Sequence, residues 1–339
     1  MKIEKFDTDK AVFVIAEIGN NHEGSYSLAE EMIGQAAQAG ASAVKFQTII
    51  PDRLVSPSQP DRLQQLKKYC LSYAQFEKLA MVAKREEVVF LSTPFDIESV
   101  QFLTNLVPAF KIASGDNNFF PLLDAISETG KPVLLSTGMA SFEDIRERKD
   151  FFEGKWRQRN QAAELALLHC VVSYPVPDHC ANLGAIRELL RLGCSVGYSD
   201  HTIGIEAAVI AAALGARIVE KHFTIDKTRQ TFRDHQLSAD ASDFSKMVGQ
   251  IQHTLEMLGD GRKRILDIEI QGVKGARRSI VAARRMTAGT IIGWQDLNWL
   301  RPGTGLAPGS ESQVLGRKLN RDLDFGEPIL ETDLTPCAA

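Results

Sequence analysis

The chain is poor in features that would place it in several common classes. Among its 339 residues are only five cysteines, Cys70, Cys170, Cys180, Cys194 and Cys337, and no two form a CxxC pair. That spacing excludes the usual zinc modules and a disulfide framework, and it fits a reducing compartment. No apolar run approaches the length needed to span a bilayer, and the charged start "MKIEKFDTDK" lacks a signal-peptide pattern. The expectation is a cytoplasmic protein with no membrane partner. Charge of one sign is also lacking: 39 Lys and Arg face 43 Asp and Glu, for a net charge of −4. This gives no footprint for nucleic acid or a polyanion. No low-complexity segment or short tandem repeat is visible.

What is present is alternation. Short β-branched apolar runs at 12–16, 43–46, 88–91, 109–112, 133–135, 165–168, 195–197 and 217–219 are each followed by a stretch with helical periodicity. The helical stretches fall near 27–39, 74–86, 96–106, 119–129, 142–160, 181–192, 205–214 and 241–258. A doubly wound open sheet could use such alternation, but eight units in about 250 residues have the size of a (β/α)8 TIM barrel. After Gly259 the texture changes. Residues 260–275 are polar and read as a linker, and 276–339 read as a small, mainly β domain.

In a parallel barrel the chemistry sits where the strands end. The residues there are Glu17, Lys45, Gln47, Thr93, Lys111, Ser114, Asp116, Ser136, Tyr174, Ser199, His201, Glu220 and His222. Ionisable groups at buried strand ends are costly unless paired or liganded. Lys45 and Lys111 among hydroxyls suit an oxygen-rich anion such as phosphate plus carboxylate. Salt bridges to Glu17 and Glu220, or a Schiff-base lysine, are the other readings. His201 and His222, at the ends of adjacent strands, suit a divalent metal with open positions for water and substrate. The bland alternative is two hydrogen-bonded histidines.

The motifs "AEIGNNHEG", "KFQ", "STPFD", "KIASGD", "LSTGMA", "HCVVSYPVP", "GYSDHTIG", "EKHFTID" and "RPGTGL" follow one another over nearly the whole chain. Together they resemble the N-acetylneuraminate (sialic acid) synthase family, which includes legionaminic and pseudaminic acid synthases and spore-coat polysaccharide relatives. The tail resembles that family's antifreeze-like (SAF) domain. The resemblance implies condensation of phosphoenolpyruvate with an acylated amino sugar and water, giving a nonulosonic 2-keto acid and phosphate by C–O cleavage. It implies a divalent metal, Mn2+ or Mg2+, on His201 and His222. It places phosphoenolpyruvate on Lys45, Thr93, Lys111, Ser114, Ser136 and Ser199. The sugar falls to Gln47, Asp116, Tyr174, Glu220, Asp234 and Arg301, and the attacking water to Glu17. It further implies a domain-swapped homodimer in which Arg301 serves the partner's barrel.

Two positions depart from the N-acetylneuraminate-forming members, which usually carry Glu at Asp116 and a polar residue at Val172. The acceptor is therefore left open between an N-acetylmannosamine-type aldehyde and a diacetamido-trideoxyhexose. A phosphoenolpyruvate-condensing barrel using arabinose 5-phosphate or erythrose 4-phosphate lacks the tail domain. A non-catalytic carbohydrate-binding protein would have no need of Glu17, both lysines and both histidines.

Overall fold

In the computed structural model, which describes residues 1–229 and 233–335, the chain divides after Gly259 into two units, Met1–Gly259 and Asp260–Ala339. Cys337 lies outside the described residues.

The first unit is built on eight parallel strands: β1 (Phe13–Gly19), β2 (Ala43–Thr48), β3 (Val89–Pro94), β4 (Phe110–Ile112), β5 (Val133–Ser136), β6 (Leu165–Cys170), β7 (Ser195–Asp200) and β8 (Ile218–His222). Their order in the sheet is β3-β2-β1-β8-β7-β6-β5-β4. The terminal strands β3 and β4 lie against each other, which brings the sheet round into a nearly closed barrel. Helices follow the strands: α1 (Tyr26–Gln38), α2 (Tyr73–Arg85), α3 (Ile97–Leu103), α4 (Phe120–Glu128), α5 (Phe142–Gln158), α6 (Ala185–Leu189), α7 (Glu206–Ala213) and α8 (Ala241–Leu258). Ser25, Ser72, Asp96, Ser141 and Asp240 cap five of them through their side-chain oxygens, satisfying backbone N–H groups that helix starts leave open. Three pieces lack a counterpart in the apolar pattern. They are a hairpin pairing Lys2–Ile3 with Phe6–Asp7, and two helices after β2, Pro51–Leu54 and Pro60–Tyr69.

Side chains on a strand alternate between its two faces, and here the two faces have different fates. Outward residues such as Val14, Val44, Leu135 and Val219 pack against the helices in the larger core. Inward residues Phe13, Ile15, Ala43, Val89, Leu91, Ala109, Leu134, Ala166, Leu168 and Ile218 fill the barrel's lower interior. Space there is tight. A Cβ added at Gly197 would meet the Ile218 carbonyl at 2.6 Å and Leu168 Cγ at 3.0 Å, so only glycine fits this inward position of β7.

The strands run further than their apolar runs: β1 reaches Gly19, β3 reaches Pro94, β7 reaches Asp200 and β8 reaches His222. The ladder needs backbone groups only, so it continues where the inward side chains turn polar.

The second unit holds helix α9 (Asp267–Ala276) and an antiparallel pair, β9 (Ser279–Ala282) with β10 (Leu297–Leu300). Ile280, Met286, Ile292, Val314, Leu319, Leu323 and Ile329 form its own core. The segment 260–275, read as a linker, carries α9. Its two glycines, Gly272 and Gly275, mask the helix in the sequence, while Glu269 reaches back to accept from the Leu266 N–H at 2.8 Å. No residue of α9 is buried. Among the described residues no helix is long and apolar enough to cross a membrane.

Candidate active site at the C-terminal mouth of the barrel

Two residues beyond the last inward apolar or glycine residue of each strand comes an inward polar one. Ile15 is followed by Glu17, Ala43 by Lys45, Leu91 by Thr93, Ala109 by Lys111, Leu134 by Ser136, Leu168 by Cys170, Gly197 by Ser199, and Ile218 by Glu220. Another step of two gives Gln47, His201 and His222. All of these line one cavity of ≈270 Å3. Ser114, Tyr174 and Asp234 line it too, from the segments after β4, β6 and β8.

At its floor four charges are buried together. Lys45 Nζ lies 2.6 Å from Glu17 Oε2 and 3.7 Å from Glu220 Oε2. Lys111 Nζ lies 3.7 Å from Glu220 Oε1. The lysines also donate to hydroxyls, Lys45 to Thr93 at 3.1 Å and Lys111 to Ser136 at 2.7 Å. Ser199 donates to Glu220 Oε1 at 2.8 Å, and Gln47 Nε2 donates to Glu17 Oε1 at 3.1 Å. The lysines thus have carboxylate and hydroxyl partners together.

Burial opposes every one of these charges, and the neighbours decide the outcome. Burial pushes the Glu17 carboxyl up to about 7, with Lys45 opposing and Glu220 adding to the rise. Burial also works against Glu220, yet Lys111 and Lys45 hold it below the usual range. The carboxylates Glu17 and Glu220 outweigh burial at Lys45 and keep its ammonium charged. Lys111 is the weaker partner. Burial lowers its pKa despite Glu220, so it would gain most from an added anion.

Above the floor stand the histidines, their ring centroids 5.3 Å apart. The Tyr174 ring lies 4.3 Å from that of His201. Burial lowers both imidazole pKa values, that of His222 well below its usual value with His201 adding to the effect. Both rings are therefore neutral at physiological pH. His201 Nδ1 sits 2.9 Å from the Val171 carbonyl. A carbonyl only accepts, so Nδ1 carries the hydrogen and Nε2 keeps its lone pair. His222 Nδ1 is buried without a hydrogen bond, with Asp234 Oδ2 at 4.0 Å. Two neutral rings with uncommitted nitrogen atoms fit a divalent metal. Among the described residues no group of three or more His, Cys, Asp and Glu side chains forms a cage, so the remaining positions would belong to water and substrate.

Two sequence-derived site residues are not in this cavity lining. Asp116 ends the 3-10 turn Ser114–Asp116, which leaves Ser114 and Gly115 on the lining and carries Asp116 past it. Arg301 belongs to the second unit, where it is exposed. Asn20, Arg62, Phe95, Met139 and Cys170 line the cavity and were absent from the sequence-derived set. Asn20 and Cys170 carried a signal. Asn20 lies within the quoted motif and donates to Gln47 Oε1 at 2.9 Å, and Cys170 is two residues past Leu168 in the inward register. Arg62 carried none, because its helix follows no strand directly.

Burial pushes the Asp116 carboxyl from its ordinary 3.8 up to about 6. The folded chain then takes up this proton at a higher pH than the unfolded chain. Its contribution to stability is full below the unfolded value and is lost as pH rises through the folded one. Asp116→Asn removes that loss. The variant's stability relative to wild type should rise from about pH 4 to about pH 6 and then level off. Denaturant titrations at stepped pH measure this. A constant difference would show that Asp116 ionises alike in both states.

The sequence pattern that defines the NeuB family matches residues 32–263, and that of the SAF domain matches residues 277–335. The chain is 35% identical to the N,N'-diacetyllegionaminic acid synthase of Legionella pneumophila, over 94% of this chain and 93% of that protein. It is 33% identical to a pseudaminic acid synthase of Campylobacter jejuni, over 98% and 99%. The crystal structure of an N-acetylneuraminic acid synthetase from Leptospira borgpetersenii, in complex with citrate, is similar with a TM-score of 0.75. It is 33% identical in sequence and is matched over 80% of this chain and 94% of that one. With the barrel, its polar mouth and the SAF domain in sequence, the chain belongs to the NeuB family of sialic acid synthase-type enzymes.

Proposed function

We propose that the protein condenses phosphoenolpyruvate with the open-chain aldehyde of an acylated amino sugar, consuming water and releasing phosphate, to form a nonulosonic 2-keto acid. The observation that carries this reading is the layered mouth of the barrel. Two ammonium groups among hydroxyls lie at its floor, and two neutral imidazoles stand above them in the same cavity.

The floor takes the anionic substrate. Lys45 and Lys111 are already charged-group partners of Glu17 and Glu220, so phosphate and carboxylate oxygens would exchange for part of that pairing. Thr93, Ser114, Ser136 and Ser199 are further donors for those oxygens. The sugar aldehyde lies above, among Gln47, Tyr174, Glu220 and Asp234. A divalent metal such as Mn2+ or Mg2+, held by His201 and His222, would supply polarisation of the aldehyde carbonyl.

The bonds then balance. Carbon C3 of phosphoenolpyruvate forms a C–C bond to the aldehyde carbon, whose oxygen gains a proton and becomes a hydroxyl. Water adds to C2, and one of its protons passes through the Glu17 carboxylate to become the proton gained by the aldehyde oxygen. The C2–O bond to phosphate breaks, the remaining proton of the C2 hydroxyl leaves with the phosphate, and C2 becomes the keto carbon. A carboxyl group near pH 7 suits this transfer, because it is ionised often enough to accept a proton and releases it readily. Holding both substrates in register removes up to ~7–11 kcal/mol of entropic barrier in the ideal case.

Phosphate release from phosphoenolpyruvate tests the reading, assayed with Mn2+ and a panel of N-acetylmannosamine and diacetamido-trideoxyhexoses. Release that requires one of these sugars is expected, and His222→Ala should lose nearly all of it together with Mn2+ binding while remaining folded. No sugar-dependent release with any member, or full activity in His222→Ala, would contradict it. The names of the legionaminic and pseudaminic acid synthase relatives favour the diacetamido sugars in the panel.

A homodimer with shared sites accompanies this reading. It is supported by apolar side chains on and just before α9: Ile268 is 88% exposed, and Ile265, Leu266 and Ile270 are exposed beside it. A stretch of this kind calls for a covering surface, and Arg301 on the same unit would then serve the partner's barrel. Light scattering of the purified protein should give twice the chain mass of 37.4 kDa, and a monomer would contradict it.

A further inference from the structure

Behind the two histidines, on the outer face of the same strands, is a charged cluster that the proposed chemistry does not use. Asp200 and Lys221 are both 0% exposed. Their neighbours on that face, Val196, Tyr198, Val219 and Phe223, belong to the apolar core under the helices. An ion pair in such a place is often no more stabilising than apolar residues of similar volume, so stability alone does not account for it.

The pair's position does. In the β7–β8 ladder Lys221 stands opposite Asp200, and this is the last registered pair of the two strands. Asp200 precedes His201 and Lys221 precedes His222. His201 therefore lies one step past the end of β7, where that ladder no longer holds it.

There the Val176 N–H donates to the His201 carbonyl at 2.9 Å from the segment after β6, and side-chain bonds supply the ties toward β8. Asp200 Oδ1 accepts from the Thr202 N–H at 2.8 Å, from the Thr202 hydroxyl at 2.8 Å and from the Tyr198 hydroxyl at 3.1 Å. Lys221 Nζ donates to Asp200 Oδ2 at 2.9 Å and to the Thr202 carbonyl at 2.6 Å. The residues on both sides of His201 are thus tied to the residue just before His222. The ring of His201 is fixed separately, through the Val171 carbonyl.

We propose that Asp200 and Lys221 are positioning residues that set the spacing of the His201 and His222 imidazoles from behind. The proposal rests on the reading of these histidines as a metal pair. It explains why a charge pair, with bonds to both strands, occupies a site where leucine-like residues would pack: charged hydrogen bonds are short and directional and so join particular backbone groups, which apolar contacts do not. Partners one shell out from metal ligands generally have this effect on affinity.

The test uses the full chain and Mn2+ alone as probe, with free Mn2+ read by electron paramagnetic resonance and thermal unfolding of the metal-free protein read in parallel. Asp200→Asn/Lys221→Met removes both charges without leaving either unpaired. The expected result is a folded variant whose Mn2+ affinity falls roughly 10–100-fold. A folded variant binding Mn2+ within about twofold of wild type overturns the proposal, since a merely structural pair would lower the unfolding temperature and leave affinity alone. Should the double variant fail to fold, Thr202→Val keeps both charges and removes one tie. A weakening of at least about threefold supports the proposal, and unchanged affinity overturns it. Wild-type protein that is folded yet binds no Mn2+ would overturn the metal reading itself, and is distinguished from the other outcomes by needing no variant.

Discussion

Everything at the mouth of the barrel depends on two lysines being buried beside two carboxylates. An ammonium group buried alone would lose its proton or unfold its surroundings. Here Glu17 and Glu220 prevent that at Lys45, whereas at Lys111 burial outweighs the single carboxylate, Glu220 at 3.7 Å. The cluster is therefore tightly paired at Lys45 and Glu17 and loosely paired at Lys111 and Glu220. That looseness is what an incoming anion can exploit. A tight pair at hydrogen-bonding distance would have to be broken first, whereas Lys111, at 3.7 Å from Glu220, makes no hydrogen bond to it that an incoming oxygen must displace.

The barrel supplies the geometry that makes such a cluster possible. Its lower interior is filled by Phe13, Leu91, Leu134 and Ile218, so the charged layer has a dry floor. The parallel register then stacks the layers without further design: Glu220 lies opposite Ser199, and Glu17 opposite Lys45. One more step up each strand reaches the histidines. Substrate anion below and aldehyde above would thus be separated by about one inward step, the distance over which a new bond between them must form.

Much of this was legible in the sequence because a barrel strand writes its chemistry at a fixed place. Apolar runs that stop on Glu17 or Glu220, or that carry Lys45 or Lys111 near their ends, mark strand, end and face together. Strand lengths were less legible, since hydrophobicity stops before hydrogen bonding does; β8 continues through Glu220, Lys221 and His222. Residues brought in by connecting segments were hardest to see. Arg62 arrives on a helix inserted after β2, and Asp116 is carried off the lining by a turn, both set by local backbone geometry that periodicity does not encode. Asp200 and Lys221 look in the sequence like two more polar strand-end residues. Only the alternation of faces sends them to the back, where they bond to each other.

The central claim is that the Lys45–Lys111 floor receives phosphoenolpyruvate, with Lys111 the member whose charge the substrate completes. Calorimetric titration of phosphoenolpyruvate into wild-type protein and Lys111→Met addresses it without turnover. A charged hydrogen bond lost from a closed site should weaken binding by roughly tenfold or more, while Mn2+ binding, which would rest on His201 and His222, is retained. Equal phosphoenolpyruvate affinity in the two proteins would contradict the account and leave the buried lysines as structural partners of Glu17 and Glu220.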